Sequence, residues 1–176
     1  MVSILILSCS LNAASRSRVL AQRAEEIFRQ KGSAVSLLDL KKKPLPFCDG
    51  DTVYGQPEVK STTEKIKKAQ GILVSIPIYN YGTNAVAKNL IELTGEGWED
   101  KVVGFICAAG GKGSYMSVMS LANSLMLDFG CFILPRFVYV TEESFEGSIV
   151  TDPEIDKRIQ KLAEQMVRIS YLLKKI

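Results

Sequence analysis

Apolar runs alternate with amphipathic stretches along the whole chain. Nearly continuous apolar runs predict buried strands over residues 2–7, 34–40, 71–76, 101–108 and 132–140, the last interrupted by Pro135-Arg136. Helical spacing and end signals fall between them, at residues 19–29, 58–70, 84–94 and 115–128 and from Asp152-Pro153 onward. Strands that are apolar throughout and separated by helices are typical of a parallel sheet covered on both faces. The pattern predicts an α/β fold: a three-layer α/β/α sandwich with a five-stranded parallel sheet, in a single domain over residues 1–176.

The predicted sheet tells where a ligand would bind. In doubly wound sheets, ligands bind at the carboxyl ends of the strands, near the point where the strand order reverses. The loops after strands one, three and four are therefore the expected site. We call them the first loop (residues 9–18), the second loop (residues 77–84) and the third loop (residues 108–115).

The first loop follows a buried strand and leads directly into a helix. The backbone N–H groups at such a junction and the positive end of the helix dipole suit an anion such as a phosphate. Its candidate donor side chains are Ser10, Asn12, Ser15, Arg16, Ser17 and Arg18. Taken alone, the loop is equally consistent with an ordinary connection in which Ser15 caps the helix. The phosphate hypothesis therefore depends on the other two loops.

The second loop contains residues suited to a flat heteroaromatic ligand. It reads Pro77-Ile78-Tyr79-Asn80-Tyr81-Gly82-Thr83-Asn84. A ring could stack on either tyrosine, while the backbone N–H groups meet its carbonyls and ring nitrogens. In the alternative interpretation, Tyr79 and Tyr81 are half-buried fillers and Thr83 caps the next helix.

The third loop contains Gly110-Gly111, where the backbone can approach a ligand closely. Two common glycine motifs do not fit this chain. A Walker motif needs Gly-Lys-Ser/Thr, but Lys112 is followed by Gly113. A dinucleotide fingerprint needs GxGxxG after the first strand, and the first loop has no glycine. The sequence therefore argues against a nucleoside triphosphatase and against a Rossmann dehydrogenase of the usual kind.

Composition narrows the chemistry further. The absence of histidine argues against Ser-His-Asp and Cys-His hydrolases and most zinc enzymes. We expect no metal site and no catalytic side chain, and we expect a bound cofactor to carry the reaction. A net charge of +3 is too small to indicate nucleic-acid binding, and no apolar run is long enough to span a bilayer. Four cysteines without CxxC spacing are expected to be reduced thiols in a cytoplasmic protein.

Together, the three loops resemble those of the NADPH-dependent FMN reductases, a flavodoxin-like family that includes quinone, azo-dye and chromate reductases. The family's first motif, Gly-Ser-x-Arg-x-x-Ser-x-Asn, corresponds to the first loop, with Ser10 and Ser15 at its two serines. The most specific match is Pro-x-Tyr-Asn with a later Lys-Asn, found at residues 77–80 and at Lys88-Asn89. Gly110-Gly111 matches the family's Gly-Gly loop.

The first loop departs from the family motif at three positions. Cys9 replaces the glycine, Asn12 the arginine and Ser17 the asparagine. Loss of the arginine removes a charge-assisted contact to a phosphate, generally worth about 1.5–3 kcal/mol. Arg16 or Arg18 could supply the charge instead.

The resemblance implies bound FMN and an enzyme that takes hydride from NADPH or NADH and passes electrons to flavin, quinone, azo or similar small acceptors. It assigns the FMN phosphate to Ser10, Asn12, Ser15, Arg16 and Ser17. It assigns the flavin ring to Pro77, Ile78, Tyr79 and Asn80, with Gly110 and Gly111. A homodimer or homotetramer is also implied. The alternatives are a flavodoxin-like electron carrier without NAD(P)H oxidation of its own, which the net basic charge disfavours, and a family member that has lost its flavin.

Overall fold

The computed structural model describes residues 1–174 and confirms the α/β fold class. Its strands are β1 (Ser3–Ser8), β2 (Ala34–Asp39), β3 (Gly71–Tyr79), β4 (Gly82–Thr83), β5 (Val102–Ala109), β6 (Phe132–Ile133), β7 (Val138–Thr141), β8 (Phe145–Glu146) and β9 (Ile149–Val150). Its α-helices are α1 (Arg16–Gln30), α2 (Pro57–Lys68), α3 (Ala85–Thr94), α4 (Met119–Phe129) and α5 (Pro153–Leu173). Short 3₁₀ helices lie at Thr52–Gly55, Gly95–Trp98, Lys112–Val118 and Glu142–Ser144.

A parallel sheet at the centre carries the three loops. Its strand order is β2-β1-β3-β5, and β6 and β7 both pair with β5 in parallel, so they share the fifth position. The predicted break at Pro135-Arg136 lies between them, because proline cannot donate to the ladder and Arg136 has a φ of 61°. The strand order reverses between β1 and β3. The first and second loops therefore begin on either side of the point where ligands bind in such sheets.

Helices cover both faces of the sheet. On one face, α1 and α5 bury Phe28 and Met166 against the central strands. On the other face, α2, α3 and α4 bury Ile66, Leu90 and Leu125. No helix within residues 1–174 combines the length and the apolar character that a membrane crossing requires. The two packed faces hold the strand ends, and hence the loops, in fixed relative positions.

The second loop differs from the irregular connection that the sequence suggests. β3 continues past residue 76 through Tyr79 and turns back into β4 as an antiparallel hairpin. The two turn residues, Asn80 and Tyr81, have φ values of 50° and 60°. Positive φ at both central positions is the mark of a type I′ hairpin turn, whose twist matches that of the strands.

Further segments depart from the predicted elements. The helix expected from residue 19 begins at Arg16. The helix expected from residue 115 begins at Met119, and the preceding Lys112–Val118 forms 3₁₀ turns. Between β7 and α5, where the apolar pattern indicated no element, β8 and β9 form a small antiparallel hairpin. Strands of two residues are too short to show an alternating pattern, which is why the sequence did not reveal this hairpin.

Candidate active site

The three loops meet at the carboxyl ends of β1, β3 and β5 and line one cavity of about 830 Å³, which we call the loop cavity. Its lining residues from the three loops are Ser10, Asn12, Ala14, Ser15, Arg16, Ser17, Pro77, Ile78, Tyr79, Asn80, Ala108, Ala109 and Gly110. Gly147 and Ser148 complete the lining. The structure thus brings together every predicted site residue except Gly111, which adjoins Gly110 but does not line the cavity.

The first loop ends at the capped N-terminus of α1. Ser15 is the N-cap, and its Oγ accepts a hydrogen bond from the N–H of Arg18 at 3.2 Å. The N–H groups of Arg16 and Ser17, at the first two helical positions, have no acceptor within the helix. Because both residues line the loop cavity, the positive end of the α1 dipole borders it. Capping by Ser15 and an anion site at this end are therefore compatible.

Buried serine hydroxyls border the same end of the cavity. Ser10, Ser15 and Ser17 are 1%, 6% and 1% exposed. Ser15 Oγ and Ser17 Oγ lie 2.9 Å apart, so one donates to the other and one O–H hydrogen is left for another acceptor. Ser10 Oγ accepts from the Asn12 N–H at 3.3 Å. Asn12 Oδ1 accepts from the Ala14 N–H at 3.0 Å, which leaves the Asn12 amide NH₂ as a donor.

The two arginines of the first loop have different surroundings. Arg16 lines the loop cavity, pairs with Glu142 at 2.9 Å, and places its Cζ 5.7 Å from the centre of the Phe145 ring. Arg18 does not line the cavity and pairs instead with Asp39 at 2.9 Å. Of the two charges considered as substitutes for the motif arginine, only Arg16 lies at the cavity.

Cys9 fits the glycine position of the family motif without intruding on the cavity. Its side chain is fully buried, with Sγ 3.9 Å from the carbonyl oxygen of Leu7, and it does not line the cavity. Burial raises the pKa of the Cys9 thiol to about 12. The Cys9 N–H donates to Ser75 O at 3.0 Å, and the Cys9 carbonyl accepts from Asn84 Nδ2 at 2.7 Å. The hydrogen bonds that hold Cys9 therefore use mainly its backbone N–H and carbonyl, which a glycine would also have.

The second loop places one of its two tyrosines at the cavity. Pro77 and Ile78 lie in β3, and Tyr79, at the end of that strand, is 52% exposed. Tyr81 is 75% exposed and does not line the cavity; a Cβ on Gly113 would lie 3.0 Å from its hydroxyl oxygen. Tyr81 is therefore too exposed to be a half-buried filler, whereas Tyr79 is about half exposed and lines the cavity. The N-cap of α3 is Asn84 rather than Thr83.

The third loop reaches the cavity with glycine, so its backbone there is not covered by a side chain. A Cβ placed on Gly110 or Gly111 would meet no atom within 4 Å. The buried Tyr139 holds this loop: its hydroxyl donates to the Gly111 carbonyl oxygen at 2.6 Å. Ser114 Oγ lies 2.6 Å from the same hydroxyl. Because a phenol has one hydrogen, Ser114 is the donor in that contact.

The turn of the β8–β9 hairpin, Gly147-Ser148, supplies the part of the lining that the sequence did not predict. Two adjacent carboxylates precede it. Glu142 pairs with Arg16 of the first loop, and Glu143 pairs with Lys112 of the third loop at 3.0 Å. A Gly-Ser pair is a turn signal, but its neighbours along the chain do not indicate which loop the turn approaches.

The loop cavity contains binding groups and offers no obvious nucleophile. The four cysteines are unpaired, and Cys9, Cys107 and Cys131 are buried. Within the described part of the chain, no group of three or more histidine, cysteine or acidic side chains is placed to hold a metal ion. The polar donors of the lining come from the first loop and the N-terminus of α1, whereas the aromatic ring of Tyr79 and the backbone of Gly110 come from the second and third loops. This polarity suits a ligand with an anionic group at one end and a flat ring at the other.

Comparisons with known proteins identify the family of this chain. The sequence model of a family described as NADPH-dependent FMN reductase matches residues 2–146. An NAD(P)H-dependent FAD/FMN reductase of Geobacillus thermodenitrificans is 28% identical over 144 residues, covering 80% of this chain and 77% of that protein. An NAD(P)H:quinone oxidoreductase of Solanum tuberosum is 27% identical over 176 residues, covering 94% and 91%. The solved structure of FerB, a flavoenzyme NAD(P)H:(acceptor) oxidoreductase from Paracoccus denitrificans, has a TM-score of 0.79 at 19% identity, covering 97% and 98%.

Proposed function

Because the chain belongs to the NADPH-dependent FMN reductase family, we propose that the loop cavity is its FMN site. One observation carries the proposal: three loops far apart in sequence line a single cavity of about 830 Å³. Cavities that hold cofactors and other small molecules measure roughly 300–1,000 Å³. FMN has the matching polarity, with a phosphate dianion at one end and the flat isoalloxazine ring at the other.

The protein is an NAD(P)H-dependent flavin oxidoreductase. Bound FMN supplies the redox chemistry, accepting electrons from the nicotinamide and passing them to an acceptor. The chain lacks histidine, and none of its residues is assigned as a general base. Its residues bind and orient the cofactor and leave one face of the ring accessible.

We assign the FMN phosphate to Ser10, Asn12, Ser15, Arg16 and Ser17. The donors that support this assignment are the spare hydrogen of the Ser15–Ser17 pair, the Asn12 amide and the N–H groups at the start of α1. The helix dipole and the Arg16 guanidinium both favour a dianion at this end. Since Asn12 is neutral, Arg16 provides the formal positive charge at the cavity.

We assign the flavin ring to Pro77, Ile78, Tyr79 and Asn80 on one side and to Gly110 and Gly111 on the other. Tyr79 offers an aromatic face, and the glycines let backbone N–H groups approach the ring edge. Although Gly111 does not line the cavity, its carbonyl is held at 2.6 Å by Tyr139. Because the peptide unit is planar, that contact also fixes the direction of the Lys112 N–H.

The acceptors that fit this site are small aromatic or quinoid molecules: free flavins, quinones and azo compounds. The nicotinamide of NADPH or NADH and the acceptor both need access to the ring. The 52% exposure of Tyr79 supports an open site on that side. One accessible ring face would serve the two substrates in turn, the first leaving before the second binds.

We further propose that the protein acts in the cytoplasm as a homodimer or homotetramer. Unpaired cysteines suit a reducing compartment. Large exposed apolar side chains support self-association, and they include Tyr115, Met116, Met126, Leu127 and Phe132. No role for nucleic acid or membrane is proposed.

An anaerobic absorbance experiment tests the proposed activity. The purified protein is loaded with FMN, and its spectrum is recorded before and after addition of NADPH and, separately, NADH. We expect flavin bands that bleach rapidly with one or both donors and return when a quinone is added. The donor that bleaches the bands faster is the preferred one.

Two outcomes would contradict the proposal. Flavin bands that persist with both donors would indicate an electron carrier reduced by another protein. A protein that does not bind added FMN would show that the substitutions in the first loop have abolished cofactor binding.

A further inference from the structure

We propose that Arg18 and Asp39 are positioning residues for the FMN phosphate. The two side chains hold the first loop in the conformation that presents its N–H groups to the ligand. The inference rests on the proposed FMN site, and it concerns side chains that do not line the loop cavity. Their role is therefore exerted through the loop rather than by contact with FMN.

The geometry centres on the Arg18 guanidinium. Its Nε and Nη2 bind the Asp39 carboxylate, with Nε–Oδ2 at 2.9 Å and Nη2–Oδ1 at 3.3 Å. Its Nη1 donates to the carbonyl oxygens of Asn12 at 2.6 Å and Ala13 at 3.3 Å. Its Nη2 also donates to the carbonyl oxygen of Ser10 at 2.8 Å. One side chain thus joins three carbonyls of the first loop to the end of strand β2.

Burial of Arg18 and Asp39 strengthens this hydrogen-bond arrangement. The side chains of Arg18 and Asp39 are only 13% and 6% exposed, so water competes little for their hydrogen bonds. Asp39 is held in turn, because its Oδ1 accepts from the Lys41 N–H at 3.0 Å. The pair borders a separate cavity of about 220 Å³, distinct from the loop cavity.

The directions of the loop N–H groups follow from the positions of the carbonyls. In a trans peptide, the N–H points opposite to the carbonyl of the same unit. No cis peptide occurs in the described chain. The carbonyls of Ser10 and Asn12 face Arg18, so the N–H groups of Leu11 and Ala13 point away from it. Within residues 1–174 neither N–H has a protein acceptor. Leu11 and Ala13 do not themselves line the loop cavity, but each peptide unit joins them to a residue that does, Ser10 or Asn12.

Arg18 and Arg16 therefore differ in how they would act. Each arginine pairs with a carboxylate, but only Arg16 lines the cavity, and its pair with Glu142 is exposed to solvent. Asp39 balances the charge of the buried Arg18, which does not line the cavity, so that pair adds little net potential there. If Arg18 acted by charge, Arg18→Lys would preserve FMN affinity and Asp39→Asn would raise it. If Arg18 acts by geometry, both substitutions lower FMN affinity, because a lysine cannot fork between a carboxylate and three carbonyls.

The test compares FMN with riboflavin, which lacks the phosphate. Dissociation constants are measured on the full-length apoprotein from the quenching of flavin fluorescence. We expect Arg18→Gln, Arg18→Lys and Asp39→Asn each to weaken FMN binding by about tenfold or more and riboflavin binding by less than about threefold. Combining Arg18→Gln with Asp39→Asn should cost little more than either change alone, because the residues act as a unit.

Arg23 on the same helix provides the matched control. Its Nε donates to Asp156 Oδ1 at 2.9 Å, forming another forked pair that joins α1 to α5 without touching the first loop. We expect Arg23→Gln to lower the thermal unfolding temperature while leaving the ratio of FMN to riboflavin affinity unchanged. A purely structural role for Arg18 would give the same pattern as this control.

The outcomes separate the positioning role from the proposed site. Equal losses for FMN and riboflavin, or FMN affinity retained in Arg18→Lys, would overturn the positioning role while the FMN site stands. Should Arg18→Gln fail to fold, the nearly isosteric Asp39→Asn tests the same role by itself. A wild-type protein that binds both flavins equally tightly would overturn the phosphate assignment and the positioning role together.

Discussion

We call the part of the loop cavity that we assign to the FMN phosphate the phosphate end, and the part that we assign to the flavin ring the ring end. At the phosphate end, Ser10, Ser15 and Ser17 are almost fully buried, whereas Tyr79 at the ring end is 52% exposed. Several hydrogen bonds hold the phosphate end, including those of Arg18 to the loop carbonyls. The ring end is a two-residue hairpin turn facing a glycine loop. Under the proposed assignment, the buried end would retain the cofactor and the exposed end would admit the substrates.

The backbone shows the same contrast. Ser15 has the extended conformation that a helix N-cap prefers, with φ of −79° and ψ of 118°. At the ring end, Tyr81 has a φ of 60°, a left-handed conformation that costs a non-glycine residue about 1–3 kcal/mol. The phosphate end therefore consists of relaxed local structure, while the ring end depends on the hairpin to hold a strained turn.

Removing the contacts assigned to the phosphate should cause the largest loss of FMN affinity. Ser15→Ala combined with Arg16→Ala deletes a hydroxyl donor and the only guanidinium among the lining residues. We expect FMN binding to weaken by about 100-fold, because each lost bond to a charged group is worth about 1.5–3 kcal/mol. Riboflavin binding should change far less, since riboflavin has no phosphate. Fluorescence titration of both flavins measures the difference.

Loss of a helix cap is the confounding effect in that experiment, and Asp152→Ala controls for it. Asp152 caps α5 by accepting the Glu154 N–H at 2.9 Å, away from the loop cavity. Its removal should cost about as much stability as the loss of the Ser15 cap, on the order of 1 kcal/mol, without changing either affinity. Equal losses for FMN and riboflavin in the double variant would refute the assignment of the phosphate end.

Placing a larger side chain at the ring end should cause the next largest loss of flavin affinity. A Cβ on Gly110 meets no atom within 4 Å, so Gly110→Val extends into open space at the cavity without a clash in the protein. We expect FMN and riboflavin affinities to fall together, because the added side chain occupies space assigned to the ring that both flavins share. A tenfold loss corresponds to about 1.4 kcal/mol of binding free energy. Gly55→Val, equally unobstructed but outside the cavity, should leave both affinities unchanged.

Trimming the aromatic wall should have a smaller effect. Tyr79→Ala removes a half-exposed ring whose stacking is worth about 0.5–1.5 kcal/mol, so both flavins should bind about two- to tenfold more weakly. Tyr54→Ala is the control, because Tyr54 is similarly exposed, at 42%, but lies outside the cavity. A loss for FMN alone would show that Tyr79 contacts the phosphate half of the ligand instead.

Modifying the exposed thiol should have the smallest effect. Burial raises the pKa values of Cys9 and Cys107 to about 12 and that of Cys131 to about 11, so all three remain protonated at pH 8. Only Cys48 is partly exposed. We expect an alkylating reagent to label one cysteine in the folded protein and all four in urea, counted by mass spectrometry, with FMN affinity unchanged.

The buried Cys9 thiol should also make the free energy of unfolding depend on pH. In the unfolded chain a thiol ionises near pH 9, whereas burial raises the pKa of the Cys9 thiol in the folded protein to about 12. The unfolded state therefore loses protons first, and the free energy of unfolding should fall as the pH rises above 9. Fast labelling of Cys9 at pH 8 would contradict the picture of a closed, rigid phosphate end.

The phosphate end was the more predictable of the two from sequence. A buried strand followed by serines and a helix defines the junction locally, so the junction and a possible Ser15 cap follow from sequence. The helix start does not, because the apolar spacing begins at residue 19 and α1 begins at Arg16. The partner of Arg18 does not follow either, because Asp39 reaches it only when β2 pairs with β1. Side-chain pairs across a sheet depend on register, which no single segment encodes.

The ring end was predicted in composition but not in shape. Pro77 to Asn80, which the family resemblance assigns to the flavin ring, line the cavity. The hairpin that presents them does not follow from the sequence, because the type I′ turn places Tyr81 in a conformation for which tyrosine has no preference. Gly147 and Ser148 were missed altogether. They follow a two-residue strand, too short for periodicity to show.

The most direct test is a crystal structure of the protein with FMN bound. We expect the phosphate to lie within hydrogen-bonding distance of the hydroxyl groups of Ser10 and Ser15 and of the N–H of Ser17, with the ring between Tyr79 and Gly110. A phosphate located elsewhere, or a ring bound outside the loop cavity, would contradict the proposed site.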